Sequence, residues 1–182
     1  MSNSLVRASG LVAATLIGLA ALADSASAQA AGARIYGTVC GACHQAQGTG
    51  VHGMFPPLAG SEWVTGPEAR LVRIIMHGVT GDIEVNKEIY SSTMPPFGSA
   101  LSDGDIAAVA SYIRGNFTNK AAPITEATVA KVRSETASRN KPWTVAELNA
   151  AVKTAAPAKA PAAAKAPAKK KATAKASAKK ST

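Results

Sequence analysis

The 182-residue chain has a formal net charge of +9 and contains only two cysteines. Residues 29–154 carry 11 basic and 10 acidic side chains, whereas residues 155–182 carry eight lysines and no acidic residue. The positive charge therefore gives no support for a nucleic-acid-binding surface on the folded part, two cysteines exclude a disulfide-rich scaffold, and the length allows one small domain.

The N-terminal residues have the pattern of an export signal. Arg7 precedes an apolar run, Leu11–Ala23, and a small-x-small sequence ends at Ala28. Because a membrane-spanning helix needs about 20 apolar residues, this shorter run predicts a removable signal peptide at residues 1–28, with cleavage after Ala28 or Ala30. An uncleaved membrane anchor is the alternative. The mature protein is expected to be soluble or peripherally attached to a membrane.

A helix is predicted over residues 31–39, and it runs into Cys40-Gly41-Ala42-Cys43-His44. The pattern Cys-x-x-Cys-His is the attachment signature of c-type haem. The two thiols form thioethers with the haem vinyl groups, and the adjacent imidazole ligates the iron. A thioredoxin-like redox pair, a structural disulfide and half of a zinc site are the alternatives. The sequence offers no βαβ pattern for the first and no second ligand pair for the last.

Two further helices and a hairpin are predicted after this motif. Gly66-Pro67-Glu68 has the features of a helix start, and Gly78 would end that helix. Residues 83–85 and 88–90 are expected to pair around Asn86-Lys87. The closing helix starts at a capping box, Ser102–Asp105, and its apolar residues recur at helical spacing. These residues are Ile106, Val109, Ala110, Ile113 and Phe117.

The long loop before the closing helix contains Thr93-Met94-Pro95-Pro96-Phe97. The two prolines keep the methionine in an extended and stiff segment. A methionine sulfur opposite the histidine saturates a haem iron and raises its reduction potential, so Met94 is the predicted sixth ligand. The weaker candidates, residue types that more often fill a core or lie at the surface, are Met54, Met76, His52 and His77.

With these elements in order, residues 31–119 resemble a class I c-type cytochrome, an all-α monohaem fold of three to five helices wrapped around one haem. The resemblance rests on the Cys40–His44 motif, the proline loop Phe55–Gly60, the Met94–Phe97 segment and the closing helix Leu101–Arg114. It implies that the Pro56 carbonyl accepts a hydrogen bond from the His44 ring, which would fix the ring and make it a stronger donor to the iron.

The resemblance has two further implications. The family packs its first and last helices together through a glycine and an aromatic residue, for which the candidates are Gly32 or Gly37, Tyr36 and Tyr112. The proline loop and the Met94 segment are also similar to those of cytochrome subunits that serve periplasmic dehydrogenases. Trp63 and Arg73 are candidates for contacting the haem propionates. A rim tryptophan and a solvated helix arginine are the alternatives for these two residues.

Residues 120–153 form an extension beyond the usual end of such a domain. Residues 126–137 predict a helix. A capping box at Thr144 and Glu147, with a staple between Trp143 and Leu148, predicts the start of another. Because a tryptophan is unusual in a free linker, this extension is expected to pack against the haem domain or against a partner.

The tail, residues 154–182, contains only Ala, Lys, Pro, Ser and Thr. It lacks large apolar side chains that could offset the entropy of folding, so it is predicted to be disordered. Its lysines suit an anionic membrane surface or an acidic partner, and a tail that only maintains solubility is the alternative. Export from the cytoplasm makes nucleic acid an unexpected partner.

Together these features predict a periplasmic electron-transfer protein with one covalent haem c, and not an enzyme. Cys40 and Cys43 would attach the haem, His44 and Met94 would ligate its iron, and Pro56 would orient His44. Single electrons would pass from a dehydrogenase or membrane complex to a terminal oxidase or another cytochrome of a respiratory chain. The alternative is a haem-based sensor or peroxidase-like enzyme with a displaceable sixth ligand.

Overall fold

The computed structural model describes residues 26–154, so the tail from residue 155 and most of the predicted signal lie outside the described residues. Helix α1 covers residues 26–35. It continues through one π-helical turn, Tyr36–Cys40, into α2, Gly41–His44. The helix predicted before the cysteines is therefore confirmed, and the Cys-x-x-Cys-His motif is itself helical. Single π-helical turns occur frequently at functional sites.

Two helices follow the proline loop. The single turn of α3, Glu62–Thr65, begins after Ser61, whose hydroxyl accepts a hydrogen bond from the Trp63 N–H. Helix α4, Glu68–His77, begins after Pro67 and ends at Gly78, whose N–H donates to the Ile74 carbonyl. Because every side chain from Leu71 to Met76 is buried, α4 is surrounded by the rest of the protein.

The predicted hairpin is confirmed. Strands β1, Ile83–Val85, and β2, Glu88–Tyr90, pair antiparallel with Ile83 opposite Tyr90. Asn86 and Lys87 have φ values of 53° and 69°, the left-handed conformations of a type I′ turn, whose twist matches that of the flanking strands. The hairpin buries Ile83, Val85 and Tyr90 against Trp63.

Helix α5, Asp103–Gly115, starts at the predicted capping box. The Ser102 hydroxyl accepts from the Asp105 N–H at 3.1 Å, and the Asp105 carboxylate accepts from the Ser102 N–H at 3.2 Å. These reciprocal bonds satisfy two donors that a helix start otherwise leaves unpaired. The predicted inclusion of Phe117 is wrong, because α5 ends at Gly115 and Phe117 has a φ of 54°. The Phe117 ring instead packs 4.8 Å from the Tyr36 ring.

Helices α1 and α5 cross at Gly32. A Cβ atom at Gly32 would lie 2.7 Å from the Tyr112 Cβ, whereas a Cβ atom at Gly37 would have no neighbour within 4 Å. The absence of a side chain at Gly32 thus allows the two helices to approach. The Tyr36 and Tyr112 rings lie beside this crossing, 5.7 Å apart.

The extension forms two helices, α6, Glu126–Glu135, and α7, Val145–Thr154. The predicted capping box at Thr144 and Glu147 is present, with Thr144 N–H donating to Glu147 Oε2 at 3.0 Å. Val129 and Val132 are buried in the same cluster as the apolar faces of α4 and α5. The sequence did not determine whether the extension packs against the haem domain or against a partner. In the structure it packs against α4 and α5.

The fold of residues 26–154 is therefore mostly helical with one two-stranded sheet, in agreement with the predicted class. Its main core contains apolar residues of α1, α3, α4, α5 and α6. Within the same residues, no helix is both long enough and apolar enough to cross a membrane.

Candidate haem site

One cleft contains all the site residues that the sequence predicts. Its empty space, including the open mouth, is about 890 Å³. The predicted residues among its walls are Cys40, Cys43, His44, Pro56 and Met94. The remaining described residues of its lining are mostly aliphatic or aromatic, and none is charged. The cleft therefore suits a large apolar group.

His44 lies at the end of α2 with its ring fixed by the proline loop. Its Nδ1 is 2.9 Å from the Pro56 carbonyl oxygen. Because a carbonyl only accepts, Nδ1 carries the proton of this bond and Nε2 keeps its lone pair. Burial lowers the pKa of His44, although the bond to Pro56 opposes this effect. The neutral imidazole, the form that can bind a metal, is therefore favoured.

The two cysteines precede His44 on the same helical stretch and line the same cleft. No disulfide joins them, and both are partly buried. Burial raises the pKa of Cys40 to about 11, with a smaller contribution from Cys43. At neutral pH the Cys40 side chain is therefore a protonated thiol rather than a reactive thiolate.

Met94 reaches the cleft from a segment that is hydrogen-bonded along its length to the end of α4. The Val79 N–H donates to the Met94 carbonyl at 3.2 Å, and the Met94 N–H donates to the Val79 carbonyl at 2.9 Å. Farther along, the Phe97 and Gly98 N–H groups donate to the Ile75 and Met76 carbonyls, both at 3.0 Å. These last two carbonyls belong to the final turn of α4, where a helix leaves its acceptors unpaired.

Gly78 makes this close packing possible. Its φ of 74° is disfavoured for other residues, and a Cβ atom there would contact the Met94 carbonyl oxygen and lie 3.0 Å from the Pro95 carbonyl carbon. The glycine that the sequence assigns to the end of α4 therefore has a second role, because it lets the Met94 segment approach the helix.

The weaker ligand candidates lie outside the lining of the cleft. Met54 is 53% exposed, whereas Met76 is 2% exposed and packs in the main core. His52 has an exposed side chain 3.5 Å from Glu88, and the His77 Nε2 is 2.8 Å from the Thr136 hydroxyl.

The two residues considered for propionate contacts have different surroundings. Trp63 lines the cleft, but its indole N–H already donates to the Glu84 carbonyl at 2.7 Å. Arg73 is buried and faces α6, where it pairs with Glu135 at 2.9 Å. Both interpretations of Arg73 are therefore wrong. It does not line the cleft, as a propionate contact would require, and it is not a solvated helix residue.

Two residues that support the cleft, Asn119 and Val79, were not identified from the sequence. Asn119 is buried after α5, and its side chain bonds the Leu58 carbonyl and the Gly60 N–H of the proline loop, both at 2.9 Å. Val79 pairs with Met94, and Trp143 pairs with the residues on either side of Val79. No local pattern marks Asn119 or Val79, because each contacts residues distant in the sequence.

The comparisons with known proteins agree with this arrangement. The family described as cytochrome c oxidase, cbb3-type, subunit III matches residues 27–113. Cytochrome c-552 of Thermus thermophilus is 41% identical over 103 residues, which cover 54% of this chain and 68% of that protein. The cytochrome c subunit of a quinone alcohol dehydrogenase of Komagataeibacter europaeus is 39% identical over 115 residues, 62% of this chain and 24% of the subunit.

A third relative is the cbb3-type cytochrome c oxidase subunit FixP of Azorhizobium caulinodans, 38% identical over 89 residues, 48% of this chain and 29% of that subunit. The chain thus covers two thirds of the Thermus cytochrome but under a third of the two larger subunits. Similarity to a small cytochrome over most of its length shows the family. The chain belongs to the cytochrome c family, whose members carry electrons on covalently bound haem and are not themselves catalytic enzymes.

Proposed function

We propose that this cytochrome holds one haem c with His44 and Met94 as axial ligands and transfers single electrons between redox proteins. Cys40 and Cys43 form the thioethers in this proposal, and Pro56 orients His44. The observation that carries the proposal is that these five residues, from three segments of the chain, line one uncharged cleft. When bound, haem c supplies a one-electron ferric/ferrous couple.

The chemistry of the donor set fits a covalently attached haem. A nitrogen lone pair on a fixed imidazole and a thioether sulfur are the ligands found in cytochromes c of high potential. The walls of the cleft are largely apolar and include residues such as Leu71, Ile74 and Val85. Low polarity around a haem disfavours the extra positive charge of the ferric state, so these walls also favour a raised potential.

The partners are proposed by class. The donor would be a dehydrogenase or a membrane complex, and the acceptor would be a terminal oxidase or another cytochrome. This proposal is supported by relatives named as subunits of a quinone alcohol dehydrogenase, a fructose dehydrogenase and a cbb3-type oxidase. Electron-transfer encounters of this kind commonly bury less than about 1,200 Å².

The protein is proposed to act in the periplasm after removal of residues 1–28. Its remaining divisions are proposed as a haem domain at 31–119, the helical extension at 120–153 and the lysine-rich tail at 154–182. The export pattern of the N-terminal sequence supports the location. Mass spectrometry of holoprotein from a periplasmic fraction tests it, since a mature N-terminus after Ala28 or Ala30 is expected. Uncleaved protein in the membrane fraction would contradict it.

The tail is proposed to strengthen docking to an anionic membrane or an acidic partner, since it carries eight lysines and no acid. Each lysine near an anionic membrane contributes about 1 kcal/mol, and salt screens the attraction. Deletion of residues 155–182 should leave the haem spectrum unchanged and weaken binding to vesicles containing anionic lipid at low salt. Unchanged binding to vesicles and to acidic partners would leave the tail with a role in solubility only.

A potentiometric titration of the exported holoprotein tests the proposed function. One haem per chain, measured as the pyridine haemochrome, and a single reversible one-electron transition are expected. A high-spin spectrum, rapid carbon monoxide binding or peroxide turnover would instead favour the sensor or peroxidase-like alternative. Two haems per chain would contradict the proposed stoichiometry.

A further inference from the structure

We propose that Trp143 is a positioning residue that keeps the Met94 segment closed over the cleft. The inference rests on the proposed role of Met94 as an axial ligand, and it assigns a function to the extension, which is absent from the residues that the family matches. Trp143 does not itself line the cleft. It would act on the ligand Met94 through Val79.

The backbone connects the two residues directly. Val79 exchanges two hydrogen bonds with Met94, at 3.2 and 2.9 Å. On the other side of the same strand-like segment, the Trp143 N–H donates to the Gly78 carbonyl at 3.0 Å, and the Thr80 N–H donates to the Trp143 carbonyl at 2.8 Å. Residues 78–80 therefore lie between the Met94 segment and the extension, as the middle strand of a short ladder.

The side chain of Trp143 strengthens this ladder by packing. It is 9% exposed and lies in a cluster with Ile74, Val79 and Leu148, against which Met94 also packs. The Trp143 indole nitrogen is buried and has no hydrogen-bond partner among residues 26–154. Packing, rather than a polar bond of its own, thus holds the ring against the segment that pairs with Met94.

Several contacts of the extension hold Trp143 in this position. The Arg139 guanidinium lies 3.5 Å from the centre of the indole ring and bonds both the Pro142 carbonyl and the Glu147 carboxylate at 2.7 Å. The capping box of α7 begins at the next residue, Thr144. Movement of the Met94 segment away from the cleft would therefore require the ladder to break or a buried tryptophan to move with it.

The test compares Trp143→Ala and Trp143→Phe with a double control variant, Val129→Ala/Val132→Ala, in the full holoprotein. The control removes buried side chains from the same extension where it packs on α4 and α5. Denaturant titration measures the free energy of unfolding of each variant, so that local effects can be compared at equal global stability. Two local readouts follow: amide exchange at Val79 and Met94, and the rate at which added imidazole displaces the sixth ligand of the ferric protein.

In Trp143→Ala we expect both amides to exchange on the order of tenfold faster than in the control at equal global stability, since local opening no longer requires the indole to move. Imidazole should displace the ligand faster by a similar factor, and the reduction potential should fall. Trp143→Phe, which restores an aromatic ring, should recover most of each effect.

Equal exchange and displacement in Trp143→Ala and in the control would overturn the proposal and leave Trp143 with a purely structural role. The amide-exchange measurement at Val79 and Met94 does not depend on which residue ligates the iron. If the wild-type protein lacks the near-infrared charge-transfer band of His–Met haem, the ligand assignment fails, while the exchange comparison still decides whether Trp143 closes this segment.

Discussion

The two sides of the cleft are built in different ways. On the histidine side, Cys40, Cys43 and His44 follow one another on a single helical stretch, and the ring partner Pro56 is only 12 residues away. On the methionine side, Met94 is held by the end of α4, by Val79 and indirectly by Trp143, which is 49 positions farther along the chain. The first side is determined locally, and the second requires the complete tertiary fold.

This difference suggests where the protein is most tolerant of change. On the histidine side, the two proposed thioethers and the His44 ligand would keep the haem attached even if the neighbouring side chains packed less tightly. The methionine side has no covalent attachment in the proposed site, so its geometry depends on the free energy of packing and of a few hydrogen bonds. Substitutions there are expected to alter the potential and the access of ligands before they affect haem content.

The largest effect is expected from His44→Ala. Without the imidazole beside the thiols, maturation should fail and covalent haem should fall to background, and Cys40→Ala or Cys43→Ala should each lose one thioether. His52→Ala is the matched control because the His52 side chain is 88% exposed. The pyridine haemochrome assay and intact mass measure the outcome, and normal haem content in His44→Ala would refute the assignment.

The next effect in size is expected from Met94→Ala. The haem should stay attached, the ferrous protein should bind carbon monoxide, and the potential should fall by a sizeable part of the roughly 0.8 V range over which axial ligands tune haems. Met54→Ala, at an exposed methionine outside the cleft lining, should change neither property. An unchanged potential in Met94→Ala would indicate a different sixth ligand.

A smaller effect should follow from Gly78→Ala, with Gly81→Ala as its control. Both glycines have positive φ, 74° and 85°, but only the added Cβ at Gly78 would meet the Met94 segment. Each variant should lose about 1–3 kcal/mol of stability from backbone strain. Only Gly78→Ala should also lower the potential and accelerate displacement of the sixth ligand. Identical redox behaviour of the two variants would show that this contact does not position Met94.

The smallest effect concerns the pH dependence of the extension. The Thr144 N–H, with Arg139, lowers the pKa of Glu147 from its ordinary value of 4.5 to about 2. A folded-state pKa below the unfolded value means that Glu147 stabilises the fold above about pH 4.5 and that this contribution is lost as the pH falls toward 2. Glu147→Gln should therefore reduce the acid dependence of stability between these values.

Acid denaturation of the wild type, Glu147→Gln and the control Glu126→Gln measures this contribution. Glu126 is an exposed acidic residue in the first turn of the other helix of the extension. Parallel acid curves for the wild type and Glu147→Gln would contradict the predicted role of the α7 capping box.

Much of the fold follows from local patterns in the sequence. The capping box at Ser102, the turn at Asn86-Lys87 and the glycine after α4 each have a local physical cause, and each predicts an element that the structure contains. Phe117 has the spacing of a helical residue but lies beyond α5, because its contacts with Tyr36 and Tyr112 determine its position. Periodicity alone contains no information about those contacts.

The same distinction applies within the site. The sequence alone identifies the residues proposed to bind the haem, because their chemistry and order are characteristic. It does not identify the Val79 ladder or the Asn119 bonds, which join residues up to 65 positions apart. A valine and an asparagine are common residue types, so only their three-dimensional surroundings reveal what they support.

The most direct test of the central claim is a near-infrared spectrum of the ferric wild-type holoprotein, with carbon monoxide added to the ferrous form. The weak charge-transfer band of a histidine–methionine haem, together with no binding of carbon monoxide, is the predicted result. A high-spin spectrum without that band, or rapid carbon monoxide binding by the wild type, would contradict the claim that Met94 closes the site.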